Sequence, residues 1–313
     1  MESPLVGVVL VNYNGLGDTL DCLDSLRNQL YTNIKVLVID NRSDSDELTV
    51  IESHPIGPIC LQNATNLGFA EASNIGMKTA LDGGADYVLL LNNDSIVKPD
   101  FLVRLLEAME KYSSVGIAGP KITCYPNINQ INSGGGRIYW RIGYIRDLGF
   151  NKKDNQTLNT MDARDWISGC AMLIRRKVIE TISFLDSRNF PQGGEDYDYC
   201  VRASIAGYKI LYCPRSVVLH KGSKTRRKMG AVTITLVEAN RRDPKVALLE
   251  KYKKRKRIGK MARICYVAFL RPFEALTYLV FTKDPQLRLF YHQRFLQRIR
   301  IELLPRIRRQ HAS

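Results

Sequence analysis

The sequence predicts an α/β fold built on a mostly parallel central sheet, and three observations carry that expectation. Continuous apolar, largely β-branched runs recur at Val6–Val11, Ile34–Ile39 and Tyr87–Leu91. Helix-patterned stretches separate them. Three strand ends are polar: Asn12-Tyr13-Asn14, Asp40-Asn41 and Asn92-Asn93-Asp94. Uniformly apolar strands alternating with helices indicate a parallel sheet covered on both faces. In such sheets ligands bind beyond the carboxyl ends of the strands, so the three polar clusters fall along one edge.

Taken in chain order, Val6–Val11 is the first strand. Gly17-Asp18 offers a helix start, with Leu20, Leu23, Leu26 and Leu30 on one helical face. Ile34–Ile39 is the second strand and ends at Asp40; Ile59–Leu61 is a short third. Gly68–Leu81 reads as a helix, and Tyr87–Leu91 as a fourth strand ending at Asn92. A helix follows over Pro99–Tyr112, with Pro99 suited to its first turn, and then a strand at Val115–Ala118. Between Asn127 and Asp165 the pattern loosens. Gly134-Gly135-Gly136 and many aromatics there predict loops and a small antiparallel section, before order returns at Trp166–Arg175 and Glu195–Tyr212.

Charge divides the 313-residue chain in two. Residues 1–225 hold 23 Lys or Arg against 25 Asp or Glu, whereas residues 226–313 hold 23 against 6. The whole net charge of +15 therefore comes from the last 88 residues. We read residues 1–225 as a near-neutral globular unit and 226–313 as a basic helical region suited to an anionic surface. A hydrophobic fraction of 45 % supports a full core and excludes wholesale disorder. The seven cysteines show no CxxC pair and no zinc spacing, which points to buried thiols in a reducing compartment. Met1-Glu2-Ser3-Pro4 has no basic leader character, so a cytoplasmic chain is expected.

Four places carry chemistry. Asn92-Asn93-Asp94 presents a carboxylate at the sheet edge; it fits a hard divalent cation bound to a diphosphate, or equally a helix-capping turn. Glu195-Asp196-Tyr197-Asp198 gathers three carboxylates in four residues. Mutual repulsion would raise one into the range for proton transfer, while the bland reading is an acidic helix start. His220 ends the apolar run Val217-Val218-Leu219 and is either a metal ligand or a surface residue. Asn66-Leu67-Gly68-Phe69-Ala70 leads into a helix whose backbone N–H groups can face an anion.

In order and spacing, these segments resemble the GT-A-fold inverting glycosyltransferases of family two, in particular their bacterial rhamnosyltransferase-like branch. The resemblance runs over about residues 5–225. It rests on Val8-Val9-Leu10-Val11-Asn12-Tyr13-Asn14-Gly15, Val38-Ile39-Asp40-Asn41-Arg42-Ser43-Asp44, Asn66-Leu67-Gly68-Phe69-Ala70 and Leu90-Leu91-Asn92-Asn93-Asp94. Ser168-Gly169-Cys170-Ala171-Met172, Gly194-Glu195-Asp196-Tyr197-Asp198 and His220 complete the series.

The resemblance implies a GT-A (nucleotide-diphospho-sugar transferase) fold and a role for each matching position. Asn12, Tyr13, Asn14 and Asp40 form the nucleotide pocket; Asn66, Gly68 and Asn93 add donor contacts, and Trp166 lines the cleft. Asp94, with Asn92 and His220, holds Mg2+ or Mn2+. Asp196, beside Glu195, is the general base. The donor is a nucleotide-diphosphate sugar, dTDP-rhamnose or a UDP-hexose, and the acceptor a hydroxyl of a glycan or polyprenyl-linked glycan in cell-surface polysaccharide synthesis. Two departures from the family pattern stand out. Asn92 replaces the first Asp of a DxD motif, and Ser183-Phe184-Leu185-Asp186-Ser187 replaces a Gly-Gly-Phe-Asp-Glu stretch.

In the basic region, Lys251-Tyr252-Lys253-Lys254-Arg255-Lys256-Arg257 precedes two apolar pieces, Ile264–Leu270 and Ala275–Phe281, split by Arg271-Pro272. Neither reaches the roughly 20 residues of a spanning helix. They read as interfacial helices that hold the protein peripherally on the inner face of the cell membrane. Self-association through this arm is the rival, and a nucleic-acid partner is not expected. Two other functional classes stand beside the transferase. One is an inactive nucleotide-sugar-binding or scaffold subunit. The other is a sugar nucleotidyltransferase, which would want a Gly-rich, cationic phosphate loop that Asn12-Tyr13-Asn14-Gly15 does not supply.

Overall fold

The computed structural model describes residues 3–222, except 142 and 155, together with 244–252. Two compact units are distinguished: residues 1–138 with 145–228, and residues 139–144 with 229–313.

The first unit is built on a ten-stranded sheet. Its elements begin with β1 (Val6–Asn12), α1 (Leu16–Arg27), β2 (Ile34–Asp40), α2 (Leu48–Glu52), β3 (Ile59–Gln62) and α3 (Phe69–Asp82). They continue through β4 (Tyr87–Leu91), β5 (Ser95–Val97), α4 (Phe101–Lys111), β6 (Val115–Cys124) and β7 (Ile131–Ser133). A two-stranded ribbon, β8 (Gly136–Tyr139) and β9 (Tyr144–Asp147), comes next. Then follow β10 (Asp162–Arg164), β11 (Ala171–Arg175), α5 (Arg176–Ile182), α6 (Glu195–Ile205) and β12 (Lys209–His220). The strand order is β10-β12-β6-β11-β4-β1-β2-β3, with β5 beside β12 and β7 beside β6.

The expected parallel core is present: β1 runs parallel to both β2 and β4, and β2 to β3. Val8, Leu10, Val38, Leu89 and Leu91 are buried in these strands. Residues Phe101, Leu102, Leu105, Leu106 and Met109 give α4 an apolar face against the same core. Helix α3 lies very close to β1. A Cβ at Gly76 would stand 2.3 Å from Val9 Cγ1, so only glycine permits that approach.

One strand reverses the parallel order. β11 is antiparallel to both β4 and β6. Its N-terminal end therefore arrives at the edge where β1, β2 and β4 have their C-terminal ends. β12 runs parallel to β6 and antiparallel to β5, which sets His220 opposite both Cys124 and Ser95.

Several boundaries differ from the sequence expectation. β6 continues past Ala118 to Cys124 through Pro120, and β12 bulges between Cys213 and Val217 just where it would pair with that proline and the next residue. A proline has no N–H for the ladder, so the partner strand bulges there. Pro99 lies ahead of α4 instead of in its first turn; its carbonyl accepts from Leu30 N. The three carboxylates after Gly194 fall inside the first turn of α6, in line with the acidic-helix-start reading. Six of the cysteines are free, and Cys22, Cys170, Cys200 and Cys213 are buried.

In the second unit, the described part comprises the ribbon tip and α7 (Pro244–Tyr252). The Trp140 and Tyr252 rings meet edge to face at 6.0 Å, and Leu248 and Leu249 are buried. Among the described residues no helix is long and apolar enough to cross a membrane. The expected interfacial pieces Ile264–Leu270 and Ala275–Phe281, and most of the basic run, lie outside the described residues.

Candidate active site

The polar edge begins where β1 and β2 end side by side, with Asn12 paired to Asp40 in register. Asn12 is fully buried. Its Nδ2 donates to Asp40 Oδ1 at 2.9 Å and to Glu47 Oε2 at 2.8 Å, and its Oδ1 accepts from Thr19 Oγ1 at 2.8 Å. Asp40 is only 1 % exposed. It accepts from Asn12, from Ser43 through both hydroxyl and backbone N–H, and from Gln62. Burial alone would push the Asp40 carboxyl up, but these bonds to its ionised form outweigh it and hold the pKa below the usual value.

The side chains of Asn12 and Asp40 are thus already engaged within the protein. Asn14 is engaged too: it has a φ of 51° and exchanges hydrogen bonds with Asp44, Nδ2 to Oδ2 and backbone N to Oδ1, both at 2.8 Å. Half-buried Tyr13 stands between these two fixed asparagines.

In the Asn66–Gly68 loop, one backbone N–H at the start of α3 is already engaged within the protein. Gly68 has φ +81°, a Cβ there would stand 2.9 Å from Pro191 O, and Ala70 N already donates to that carbonyl at 3.1 Å. The first turn of α3 is therefore docked on the segment that leads into α6. Asn41, which the sequence reading left without a role, organises this loop. It accepts from Leu67 N and Asn63 Nδ2, each at 3.0 Å, and donates to Asn66 Oδ1 at 2.9 Å. Its place directly after Asp40 at a strand end was the only signal in the sequence.

At the end of β4, the three residues of the Asn92-Asn93-Asp94 loop have different tasks. Asn93 Nδ2 donates to Thr19 Oγ1 at 2.9 Å, which ties the loop to α1. Asp94 Oδ1 lies 3.1 Å from His220 Nε2, and Asn92 Nδ2 is 3.4 Å from the same nitrogen. Burial disfavours a charged imidazole, yet the neighbouring Cys170 sulfur and Asp94 carboxylate hold the His220 pKa well above the usual histidine value. Lys221, missed in the sequence, closes the loop from behind. Its backbone N donates to Asp94 O at 2.9 Å, while its ammonium pairs with Asp18 and Asp21.

Asp94 and Asn92 offer a carboxylate and an amide oxygen, and His220 offers an imidazole nitrogen once a cation displaces its proton. Among the described residues no three His, Cys, Asp or Glu side chains are grouped to hold a metal on their own. The set fits a divalent cation that takes most of its ligands from a diphosphate, since hard cations accept few protein groups in such complexes.

The acidic segment reaches the same edge through β11. Asn92 N donates to Cys170 O at 2.8 Å, and one residue earlier Gly169 N donates to Asp196 Oδ2 at 3.0 Å. Asp196 Oδ1 accepts from Tyr197 N at 2.8 Å. A Cβ on Gly169 would stand 3.4 Å from Asp196 Cβ and 3.7 Å from Glu195 Oε1, so the strap lies directly against both carboxylates. Of the three carboxylates, Asp198 is set apart from the other two. Asp198 is fully buried and paired with Arg202 Nε at 2.8 Å, which makes it structural. Trp166 does not line an open cleft: it is 2 % exposed and packs edge-on against Tyr197 at 4.6 Å.

The sheet thus brings a carboxylate–imidazole pair and a second acidic group to one edge. Residues 7–183 match the family model for glycosyl transferase family 2, and the chain belongs to that family. It is 26 % identical over 239 residues to the dTDP-rhamnosyl transferase RfbF of Shigella flexneri, covering 75 % of each chain. It is 27 % identical over 231 residues to the N-acetylglucosaminyl-diphospho-decaprenol L-rhamnosyltransferase of Mycobacterium tuberculosis, covering 68 % of this chain and 75 % of that one. Among solved structures, the mannosyltransferase PcManGT of Pyrobaculum calidifontis, in complex with GDP-Man and Mn2+, superposes with a TM-score of 0.55 at 17 % identity. That match covers 95 % of this chain and 81 % of the other, and it shows a shared fold.

Proposed function

We propose that this family 2 glycosyltransferase moves a sugar, rhamnose from a dTDP donor or a hexose from a UDP donor, onto a glycan or polyprenyl-linked hydroxyl with inversion. The observation that carries this reading is the strap Gly169-Cys170. It binds the Asp94 loop through Cys170 O and the Asp196 carboxylate through Gly169 N, so both acidic groups serve one edge of the sheet.

In this reading Asp196 takes the proton of the acceptor hydroxyl. Gly169 N donates to one of its oxygens and Tyr197 N to the other, which orients the carboxylate. The acceptor oxygen bonds to the anomeric carbon as the bond from that carbon to the diphosphate breaks on the opposite face. The nucleoside diphosphate leaves with the electron pair, and one displacement inverts the centre. Asp94, His220 and Asn92 would hold a divalent cation, and that cation would supply positive charge to offset the negative charge of the leaving diphosphate. Tyr13 covers a face of the base, and Asn12, Asn14 and Asp40 act beneath it by fixing its loop. Glu195, 7 % exposed, backs Asp196 at the strap. Attachment at the cytoplasmic face of the membrane is supported by the charge of residues 226–313.

Thermal stabilisation by nucleotide sugars, with and without Mg2+ or Mn2+, tests the donor reading. One nucleoside diphosphate should raise the melting temperature in a metal-dependent way. A flat response to the whole set in both metals would remove the proposal.

A further inference from the structure

We infer that residues 125–131 and 150–154 form a membrane-contact surface on the catalytic unit itself, one that seats on an anionic lipid bilayer beside the transfer site. It is distinct from the basic C-terminal region, and its link to catalysis rests on the lipid-linked-acceptor reading above.

The surface is built from two segments hydrogen-bonded side by side. Ile131 N donates to Lys152 O at 2.8 Å, Asn151 N to Ile131 O at 3.0 Å, and Asp154 N to Asn129 O at 2.6 Å. Residues 125–129 are all exposed, as are 150–153. Within them Tyr125 is 48 %, Ile128 55 % and Phe150 39 % exposed. These three side chains sit on two hydrogen-bonded segments, where their apolar surface is open to a contact.

Charge selects the partner. Lys152 and Lys153 are exposed next to these side chains, while the one carboxylate in the two segments, Asp154, is neutralised by Lys121 at 2.9 Å. Aliphatic and aromatic tips flanked by lysines match the headgroup boundary of an anionic leaflet. The core of a protein–protein interface is depleted of lysine, which argues against a protein partner. The local cationic character stands out in a unit whose first 225 residues carry as many acidic as basic groups to within two.

Position supplies the functional link. Tyr125 N donates to His220 O at 2.9 Å, so the surface grows directly out of the strand end that carries the proposed metal ligand. A bilayer seated there lies next to the strand end that carries His220, so a lipid-linked acceptor would be held near the site.

The test uses the full chain and vesicles of phosphatidylethanolamine doped with phosphatidylglycerol. Cosedimentation is run at about 0.5 M salt, where screening acts within roughly 4 Å and the electrostatic share of binding by the basic region is suppressed; its apolar share is common to every variant compared. The double variant Ile128→Asn/Phe150→Asn should partition about tenfold less than the unaltered chain. The control Val50→Asn/Ile59→Asn, which removes comparably exposed apolar groups beside and on the β3 edge, should stay within about twofold. Melting temperatures and donor-induced thermal shifts should be unchanged in both, which separates this result from the transferase reading. Equal partitioning by the two variants would overturn the inference. So would vesicle-independent self-association, seen in sedimentation velocity and lost only in the Ile128/Phe150 variant.

Discussion

His220 Nε2 stands 3.1 Å from Asp94 Oδ1, and the residue after that histidine returns a backbone hydrogen bond to the Asp94 carbonyl. The last strand of the sheet thus grips the loop after β4 twice, once through a side chain and once through the main chain. Lys221 extends the grip to α1 through Asp18 and Asp21. A loop held from three elements keeps its carboxylate in place before any substrate arrives, which is what stabilisation of a leaving diphosphate requires.

Asp94→Asn keeps the loop's shape and removes its charge. We expect turnover to fall by about 10²-fold or more, with cation-dependent thermal stabilisation lost. Initial rates over a manganese titration check this. A variant that still saturates with manganese at the original concentration would place the metal elsewhere.

The two helix carboxylates two residues apart should separate cleanly. Asp196→Asn keeps the hydrogen-bonding outline beside Gly169 and removes the base, so transfer should fall by about 10²–10⁴-fold while donor binding persists. Asp198→Ala leaves Arg202 without its buried partner and should destabilise the fold by about 3–5 kcal/mol, with little effect on the rate per folded molecule. Rates and calorimetric melting of both variants, measured together, decide the assignment. A rate collapse for Asp198→Ala at full folding would reverse it.

Asn12→Ala tests whether the first polar cluster is support or contact. The amide separates two carboxylates, Asp40 and Glu47, both at 10 % exposure or less. Without it they face each other with a lost donor, at a cost of about 2–3 kcal/mol. Denaturant unfolding should show that loss. Donor affinity, measured well below the melting temperature, should change less than it does for Tyr13→Ala, which removes the proposed base contact and leaves the support intact.

Much of the fold was legible in the sequence because the buried strands are uniformly apolar and end in polar residues, a pattern set by burial on two faces. The edge carrying Asn12, Asp40 and Asp94 followed from that pattern alone. β11 was less legible: Ala171–Arg175 is as apolar as its parallel neighbours, and nothing local records that it runs the other way. That reversal is what brings Gly169 and Asp196 to the edge. Lys221 and Asn41 escaped for a related reason. Their partners lie far along the chain or across a loop, at Asp18 for one and Asn66 for the other, and no sequence period couples them. Trp166 was placed at the cleft by the family resemblance alone, and here its ring packs inward against Tyr197.

Stability should also carry the signature of Asp40 in acid. Its folded pKa lies below the ordinary unfolded aspartate value of about 3.9, because hydrogen bonds from Asn12, Ser43 and Gln62 to the ionised form outweigh burial. The sign follows from linkage: the folded state binds its proton less readily than the unfolded one, so this contribution is fully present above about pH 4 to 5. It is lost as pH falls through the unfolded and then the depressed folded value. Asp40→Asn should therefore lower the melting temperature at neutral pH and flatten its decline between about pH 5 and 3. Melting curves of the two proteins across that range should converge at the acid end. Parallel curves with a constant offset would show that the Asp40 charge takes no part in the acid response, and that the hydrogen bonds around it act on a neutral group.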